Sequence, residues 1–119
     1  MPRRRVLVID DHLDTAESMA ELLRAMGHEA QFAINGTAAL AIALRFKPEI
    51  VFVDLRLPDF DGCDLARRMR REAGLESSRF FVITGQTGIE ERERAVEAGC
   101  DDLFLKPIDG GLLDRLIGS

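Results

Sequence analysis

Four apolar runs in this sequence end on groups that can do chemistry. "RVLVID" (5–10) ends on Asp10 and leads directly to Asp11. "EIVFVD" (49–54) ends on Asp54, inside the longer stretch "VFVDLRLPDFDG" (51–62). "RFFVITG" (79–85) ends on Thr84 and Gly85, and "DLFLKP" (102–107) ends on Lys106 and Pro107. The set is three carboxylates, one hydroxyl and one ammonium.

Brought together, these groups would need a counter-charge. Two like charges about 4 Å apart repel by about 4 kcal/mol at an effective dielectric near 20. Lys106 supplies one positive charge, and a divalent cation would supply the rest. An all-oxygen ligand set favours Mg²⁺, with Mn²⁺ or Ca²⁺ as substitutes, over zinc. A hard cation held by one or two carboxylates, with water on its open positions, usually serves a phosphate. An aspartate can itself act as a nucleophile and form an aspartyl-phosphate. Such a transfer needs positioning and charge neutralisation by metal and lysine. Thr84 could donate its hydroxyl to a phosphoryl oxygen, and Gly85 would leave room for the incoming group.

The elements that must position these residues follow from apolar periodicity. Strands are expected at 5–10, 29–34, 49–54, 79–85 and 102–107. Helices are expected at 14–27, 37–46, 61–74, 89–99 and 110–118. Asp14 is placed as the N-cap of the first helix and Gly27 as its stop. The third helix has an acidic start and a basic end, which suits the macrodipole. Strand and helix alternate five times, which predicts a parallel sheet covered by helices on both faces. Near-continuous apolar strands agree, because parallel strands are buried on both sides. Parallel strands share one carboxyl edge, where open α/β sheets bind ligands. Asp10, Asp11, Asp54, Thr84 and Lys106 all fall at that edge. Asn35-Gly36, after the second strand, reads as turn chemistry.

Bulk composition excludes several functions. The chain has 119 residues, enough for one domain with a real core. Formal net charge is −5, which argues against nucleic-acid binding by bulk electrostatics. There is no Trp and no Tyr to stack on bases. No stretch is long enough to insert in a membrane, and no signal peptide opens the chain. Two cysteines, Cys63 and Cys100, fit neither a metal spacing nor a secreted disulfide framework, so a cytoplasmic location is expected. Cys63 is expected near the carboxyl edge and Cys100 near the other, without a disulfide between them.

The Asp10-Asp11 pair, "VDLRLPDFDG" around Asp54, "VITG" at 82–85 and "LKP" at 105–107 resemble, in that order, the receiver domain of two-component response regulators. The match covers nearly the whole chain, residues 1–119 as one receiver domain. It implies a flavodoxin-like (βα)5 fold with strand order 2-1-3-4-5. It implies that Asp54 accepts a phosphoryl group from a histidine kinase or a histidine phosphotransfer protein. It implies Mg²⁺ bound by Asp10, Asp11, Asp54 and the main-chain carbonyl of Arg56, with Lys106 and Thr84 contacting the phosphoryl group. Thr84 would move toward it as part of a switch. Such a domain turns over no external metabolite, beyond its own phosphorylation and dephosphorylation. It would act through a downstream output protein or domain, either alone or within a longer protein such as a hybrid kinase. Homodimerisation through the face of helix four, strand five and helix five is a further expectation.

One position departs from the family pattern. Receivers usually carry an aromatic residue three positions before the lysine, and here that residue is Leu103. Phe104 is adjacent, but its side chain points to the opposite face of the strand. Arg56 and Gln86 vary within the family, lie beside the phosphoryl site and are candidates to set how long the phosphate survives.

Several residues also have plain structural readings. His12 reads as an exposed loop residue rather than a base, and His28 as structural. Arg67, Arg68, Arg70 and Arg71 read as a solvated helix face. Other functions fit less well. A Mg²⁺-dependent aspartyl phosphatase commonly has an acid two residues after its nucleophile, where this chain has Arg56. A nucleotide-binding module lacks its Gly-rich loop after the first strand. A degenerate receiver that only binds partners, without phosphorylation, is kept as an alternative on account of Leu103.

Overall fold

The computed structural model of the chain describes residues 3–85 and 89–118. Ten elements follow one another as β1 (Arg5–Ile9), α1 (Leu13–Ala25), β2 (Glu29–Ala33), α2 (Gly36–Phe46), β3 (Ile50–Asp54), α3 (Gly62–Glu72), β4 (Arg79–Thr84), α4 (Ile89–Glu97), β5 (Asp102–Leu105) and α5 (Gly110–Gly118). The strands form one sheet of order β2-β1-β3-β4-β5, and every neighbouring pair is parallel. The expected flavodoxin-like topology is therefore the one observed.

The inner strands β1, β3 and β4 are buried on both faces, and strand side chains alternate between two cores. Leu7, Ile9, Val51, Val53, Phe80, Val82 and Leu103 pack on one face, with helical residues such as Ala39, Ala66, Met69 and Ala95. Val6, Val8, Ile50, Phe52, Phe81 and Ile83 pack on the other, with Ala20, Leu23, Leu113 and Ile117. So α2, α3 and α4 cover one face, and α1 and α5 cover the other. The side-chain period of two along a strand makes this division. The strand order reverses beside β1, because β1 pairs with β2 on one side and β3 on the other. Asp10 and Asp54 stand at the carboxyl ends of the two strands at this switch point.

The starts of α1, α2 and α3 lie within one residue of expectation, but the cap of α1 differs. His12, not Asp14, is the N-cap of α1, and Asp14 lies in the first turn. A short helix-entry segment after Asp11 leaves no room for an N-cap two residues later. Gly27 has φ 96°, the left-handed conformation that ends a helix. Asn35 does more than turn the chain: its side chain accepts from Ala38 N–H at 2.8 Å and caps α2.

The connection from β3 to α3 is fastened to the start of α2. Asp59 accepts hydrogen bonds from Gly36 N–H at 2.8 Å, Thr37 N–H at 3.0 Å and the Thr37 hydroxyl at 2.8 Å. Thus α2 is capped from within by Asn35 and from a distance by Asp59, 23 residues on from Gly36. Phe60 packs where Gly36 has no side chain; a Cβ there would lie 2.9 Å from the Phe60 ring carbon Cγ.

This fastening carries a pH signature. Desolvation raises the pKa of the Asp59 carboxyl, but the hydrogen bonds from Gly36 and Thr37 outweigh it and hold the group below its ordinary 3.8. A carboxylate with a lowered folded pKa stabilises the fold above its unfolded pKa, and that stabilisation is lost as pH falls through the folded value. Asp59→Ala is expected to lower stability by about 1 kcal/mol at neutral pH, the usual effect of a lost helix cap. Urea unfolding across a pH series should show the gap between wild type and variant closing below the ordinary carboxylate range. A gap that stays constant into acid would refute the capping role.

Candidate functional site

The carboxyl edge of the sheet gathers the residues whose chemistry stood out. Asp54 is the last residue of β3, and Asp10 follows β1 directly. Thr84 is the last residue of β4, and Lys106 follows β5. In-register parallel pairing places these ends side by side: Asp54 opposes Ile83, and Thr84 opposes Leu105. Lys106 N–H donates to the Thr84 carbonyl at 2.8 Å, extending the β4–β5 alignment to the lysine itself.

Asp10, Asp54 and Thr84 are all buried, at 5%, 8% and 4% of their exposed areas, while Asp11 faces solvent. Buried carboxylates need partners. Lys106 Nζ lies 2.8 Å from Asp10 Oδ2 and 2.9 Å from Asp54 Oδ2, bridging the two. Burial lowers the Lys106 pKa, but the hydrogen bonds and charges of Asp10 and Asp54 outweigh it and raise the group above its usual value. The ammonium therefore stays charged through the physiological range. Main-chain donors complete the acids. His12 N–H donates to Asp10 Oδ1 at 2.9 Å, and Arg56 N–H reaches Asp54 Oδ1 at 3.3 Å.

Counting formal charges, Asp10, Asp11 and Asp54 carry three negatives against the single positive of Lys106. The balance of two negatives is what a divalent cation would neutralise. One ligand atom from each of Asp10, Asp11, His12 and Asp54 lies within 4.8 Å of the other three, a spacing that suits one ion. The donors are mostly carboxylate oxygens, the type a hard divalent cation takes. Beside this group opens a cleft of about 470 Å³ between α1 and the β5–α5 connection. Its walls are apolar, including Val8, Met19, Phe52 and Ile83, with Asp10, Asp54 and Lys106 among the lining residues.

The loop after Asp54 is shaped by close packing. Gly62 N–H donates to the Leu55 carbonyl at 2.7 Å. A Cβ on Gly62 would collide with the Asp54 carbonyl oxygen and stand 2.9 Å from Leu55 Cα, so only glycine fits. Asp61 caps α3 by accepting from Cys63 N–H at 2.9 Å, and it is ion-paired with Arg94 of α4. The Asp61 hydrogen bond and charge hold the Arg94 pKa above its usual value. Arg56 forms an isolated bridge with Asp61, and its side chain is exposed. Gln86 lies outside the described residues.

Two side chains behave differently from expectation. His12 is exposed, but its Nδ1 lies 3.3 Å from Asp10 Oδ1 and 3.2 Å from Asp11 Oδ1. It belongs to the acid group rather than to a bystander loop. Arg70 does not share the solvated face of its neighbours. Its guanidinium stacks 4.5 Å above the Phe80 ring and donates to the carbonyls of Glu76, Ser78 and Gly99. Cys63 and Cys100 are free thiols, as expected, but both are buried in the same core cluster. Burial is the main cause that pushes Cys63 up to about 11 and Cys100 up to about 12, so neither is a reactive thiolate. His28, read as structural, is buried and accepts from Arg4 N–H at 3.1 Å.

A five-stranded flavodoxin-like sheet with carboxylates and a lysine at its switch-point edge defines a CheY-type receiver architecture. The family model for the response regulator receiver domain matches residues 6–117. The chain belongs to that family. Among curated proteins, it is similar to the DNA-binding response regulator MtrA of Mycolicibacterium paratuberculosis, 32% identical over 105 residues, covering 88% of this chain and 45% of MtrA. The chain thus spans less than half the length of that relative. Among solved structures, the chemotaxis protein CheY4 of Vibrio cholerae superposes with a TM-score of 0.91 at 20% identity, covering 98% of both chains. A response regulator from Burkholderia pseudomallei, solved with a phosphorylated aspartic acid, calcium ion and citrate, matches with a TM-score of 0.85 at 30% identity, covering 95% of this chain and 64% of that one. Receiver domains are signalling switches rather than classical enzymes, and response regulators interact with histidine kinases and output domains. Among the described residues, no helix is long and apolar enough to cross a membrane.

Gly62→Ala is expected to destabilise the protein by about 1–3 kcal/mol, because the added methyl group has no space against the Asp54 and Leu55 backbone. Guanidinium unfolding of the variant checks this. A change below about 0.5 kcal/mol, the usual size for a surface substitution, would show that the loop relaxes freely.

Proposed function

We propose that this chain is a phosphoacceptor switch in which Asp54 takes a phosphoryl group from a phosphohistidine of a histidine kinase or phosphotransfer protein. The observation that carries this reading is the bridging of Asp10 and Asp54 by Lys106 Nζ, at 2.8 and 2.9 Å, at the carboxyl edge of the sheet. The related Burkholderia protein, crystallised with a phosphorylated aspartic acid and a calcium ion, supports it.

In the proposed reaction a carboxylate oxygen of Asp54 forms a bond to phosphorus as the donor's P–N bond breaks. The electron pair returns to the donor imidazole, which takes a proton from solvent. Asp54 loses its own negative charge to the new acyl-phosphate linkage and gains the phosphoryl oxygens. Lys106, released from sharing its ammonium between two carboxylates, is free to pair with one of those oxygens. Thr84, one residue beyond the register partner of Asp54, donates its hydroxyl to another. Asp10, Asp11, Asp54 and the Arg56 main-chain carbonyl are the proposed ligands of a divalent cation, Mg²⁺ with Mn²⁺ or Ca²⁺ able to substitute. That cation supplies charge neutralisation for the transferring group. The change at Thr84 and Lys106 alters what the surface around α4 and β5 binds, whether an output domain, a separate protein or a second copy. The chain is read as cytoplasmic from its two free cysteines and, from its net charge of −5, as making no direct contact with nucleic acid.

Leu103 favours keeping a second reading. It is buried at 3% exposure where the family's switch aromatic would stand, so a module that binds partners without phosphorylation remains the alternative.

The deciding experiment is intact mass after exposure to a small acyl-phosphate donor, with and without Mg²⁺. The wild type is expected to gain one phosphoryl group only with Mg²⁺, and Asp54→Asn none. An adduct that survives in Asp54→Asn overturns the assignment, and no adduct in the wild type moves the reading to the phosphorylation-independent module. Lys106→Ala is expected to retain divalent-cation binding but to show none of the amide shifts in β4 and β5 that phosphorylation produces in the wild type, read by NMR. Full shifts in that variant would remove Lys106 from the switch.

A further inference from the structure

We infer that His12 is an additional ligand of the cation site and gives it affinity for divalent ions that accept imidazole, such as Ni²⁺, Co²⁺ and Zn²⁺. This rests on the reading of the acid group as a divalent-cation site, and it concerns which ions that site selects.

The first observation is spacing. Atoms bound to one ion at about 2.0–2.1 Å stand about 2.9 Å apart when cis on an octahedron and about 3.4 Å apart on a tetrahedron. His12 Nδ1 lies 3.2 Å from Asp11 Oδ1 and 3.3 Å from Asp10 Oδ1, within that interval. An ion held by these three atoms would replace the hydrogen bond that His12 Nδ1 makes with Asp10 Oδ1.

The second observation is that the His12 imidazole caps no helix and makes its contacts with the acids themselves, a hydrogen bond with Asp10 Oδ1 at 3.3 Å and an approach to Asp11 Oδ1 at 3.2 Å. His12 is the N-cap of α1, a position where a side-chain oxygen normally accepts from the first turn. It makes no such hydrogen bond. Instead its own N–H is taken by Asp10 Oδ1 at 2.9 Å, which fixes the His12 backbone beside the acids. The imidazole is 73% exposed and turned toward the two carboxylates. It can reorient around an ion without opening the core.

The chemistry then follows from the donor set. Carboxylate and carbonyl oxygens alone suit Mg²⁺, Ca²⁺ and Mn²⁺, whereas a nitrogen donor raises affinity most for ions toward the nickel, copper and zinc end of the series. His12 therefore widens the selectivity of the site rather than its strength for Mg²⁺. The imidazole is the most exposed of the three side chains, at 73% against 40% for Asp11 and 7% for Asp10.

Calorimetric titration of the intact chain with Mg²⁺ and, separately, Ni²⁺ tests this, in the wild type, His12→Ala and Asp11→Asn. His12→Ala is expected to lose about tenfold or more of its Ni²⁺ affinity but about threefold or less of its Mg²⁺ affinity. Ni²⁺ should also shift the ring protons of one of the two histidines, and the shifted signals should be those absent from His12→Ala. Equal losses for both ions, an unchanged Ni²⁺ affinity, or a shift confined to His28 would each overturn the inference. Asp11→Asn separates the two levels. If it weakens Mg²⁺ while His12→Ala leaves Ni²⁺ untouched, the cation site stands and His12 is not its ligand. If the wild type binds neither ion, or Asp11→Asn binds both undiminished, the cation reading falls and this inference with it.

Discussion

Everything at the carboxyl edge depends on the position of one ammonium group. Asp10 and Asp54 are buried side by side at the ends of adjacent strands, and buried carboxylates need a partner. Breaking a buried ion pair by removing one partner typically costs roughly 3–5 kcal/mol, because the remaining charge is stranded. Lys106 answers both carboxylates at once. It can do so because its own backbone is tied to Thr84, which keeps β5 in register with β4 as far as the lysine. The parallel sheet is thus a device for delivering a charge from the far edge strand to the switch point. The strand order matters for this reason: β3 and β1 must be neighbours for the acids to meet, and β4 must lie between β3 and β5.

The β3–α3 connection is fixed by contacts of a different kind. Gly62 backs onto the Asp54 carbonyl, Asp59 grips the start of α2, and Asp61 caps α3 while pairing with Arg94. Three helices are therefore fastened to the same short loop. Two of the fastenings are helix caps, whose donors are main-chain N–H groups that need an acceptor wherever the helix begins. The third, Asp61 with Arg94, is a side-chain pair on the surface. It is the weakest of the set, since exposed ion pairs contribute about 0–1 kcal/mol. The loop after Asp54 is therefore held more firmly toward α2 and α3 than toward α4.

The architecture was legible in the sequence because the inner strands are continuous apolar runs and the helices have helical spacing. The site was legible for the same reason: once the strands are parallel, their last residues must share an edge. Other features were hidden by their range. Nothing near Asp59 in the chain shows that it caps a helix 23 residues earlier. Arg70 reads like its neighbours in a basic helix face, and only the position of the Phe80 ring and the Gly99 carbonyl sets it apart. His12 was legible as exposed, and it is exposed, but exposure said nothing about direction. With α1 beginning at Leu13, His12 became the N-cap, and its ring lies against the acids.

Leu103 and Phe104 show how far local physics constrains the way such a site can communicate. The period of two in β5 sends Leu103 into the core shared with α2, α3 and α4, and Phe104 to the other face. There Phe104 extends an aromatic row, with its ring 6.0 Å from Phe81, which in turn stacks 5.6 Å from Phe52. Moving Phe104 across the strand would require a register slip of one residue. That slip would turn every side chain of β5 to the wrong face and pull Lys106 away from Asp54. No ring at this position can therefore report on Thr84. A buried leucine has less volume to relocate than an aromatic ring and no polar tip to draw it to the surface. Strand β5 therefore presents no aromatic ring on the side covered by α2, α3 and α4, and the Asp61–Arg94 pair is a side-chain contact that joins the loop after Asp54 to α4.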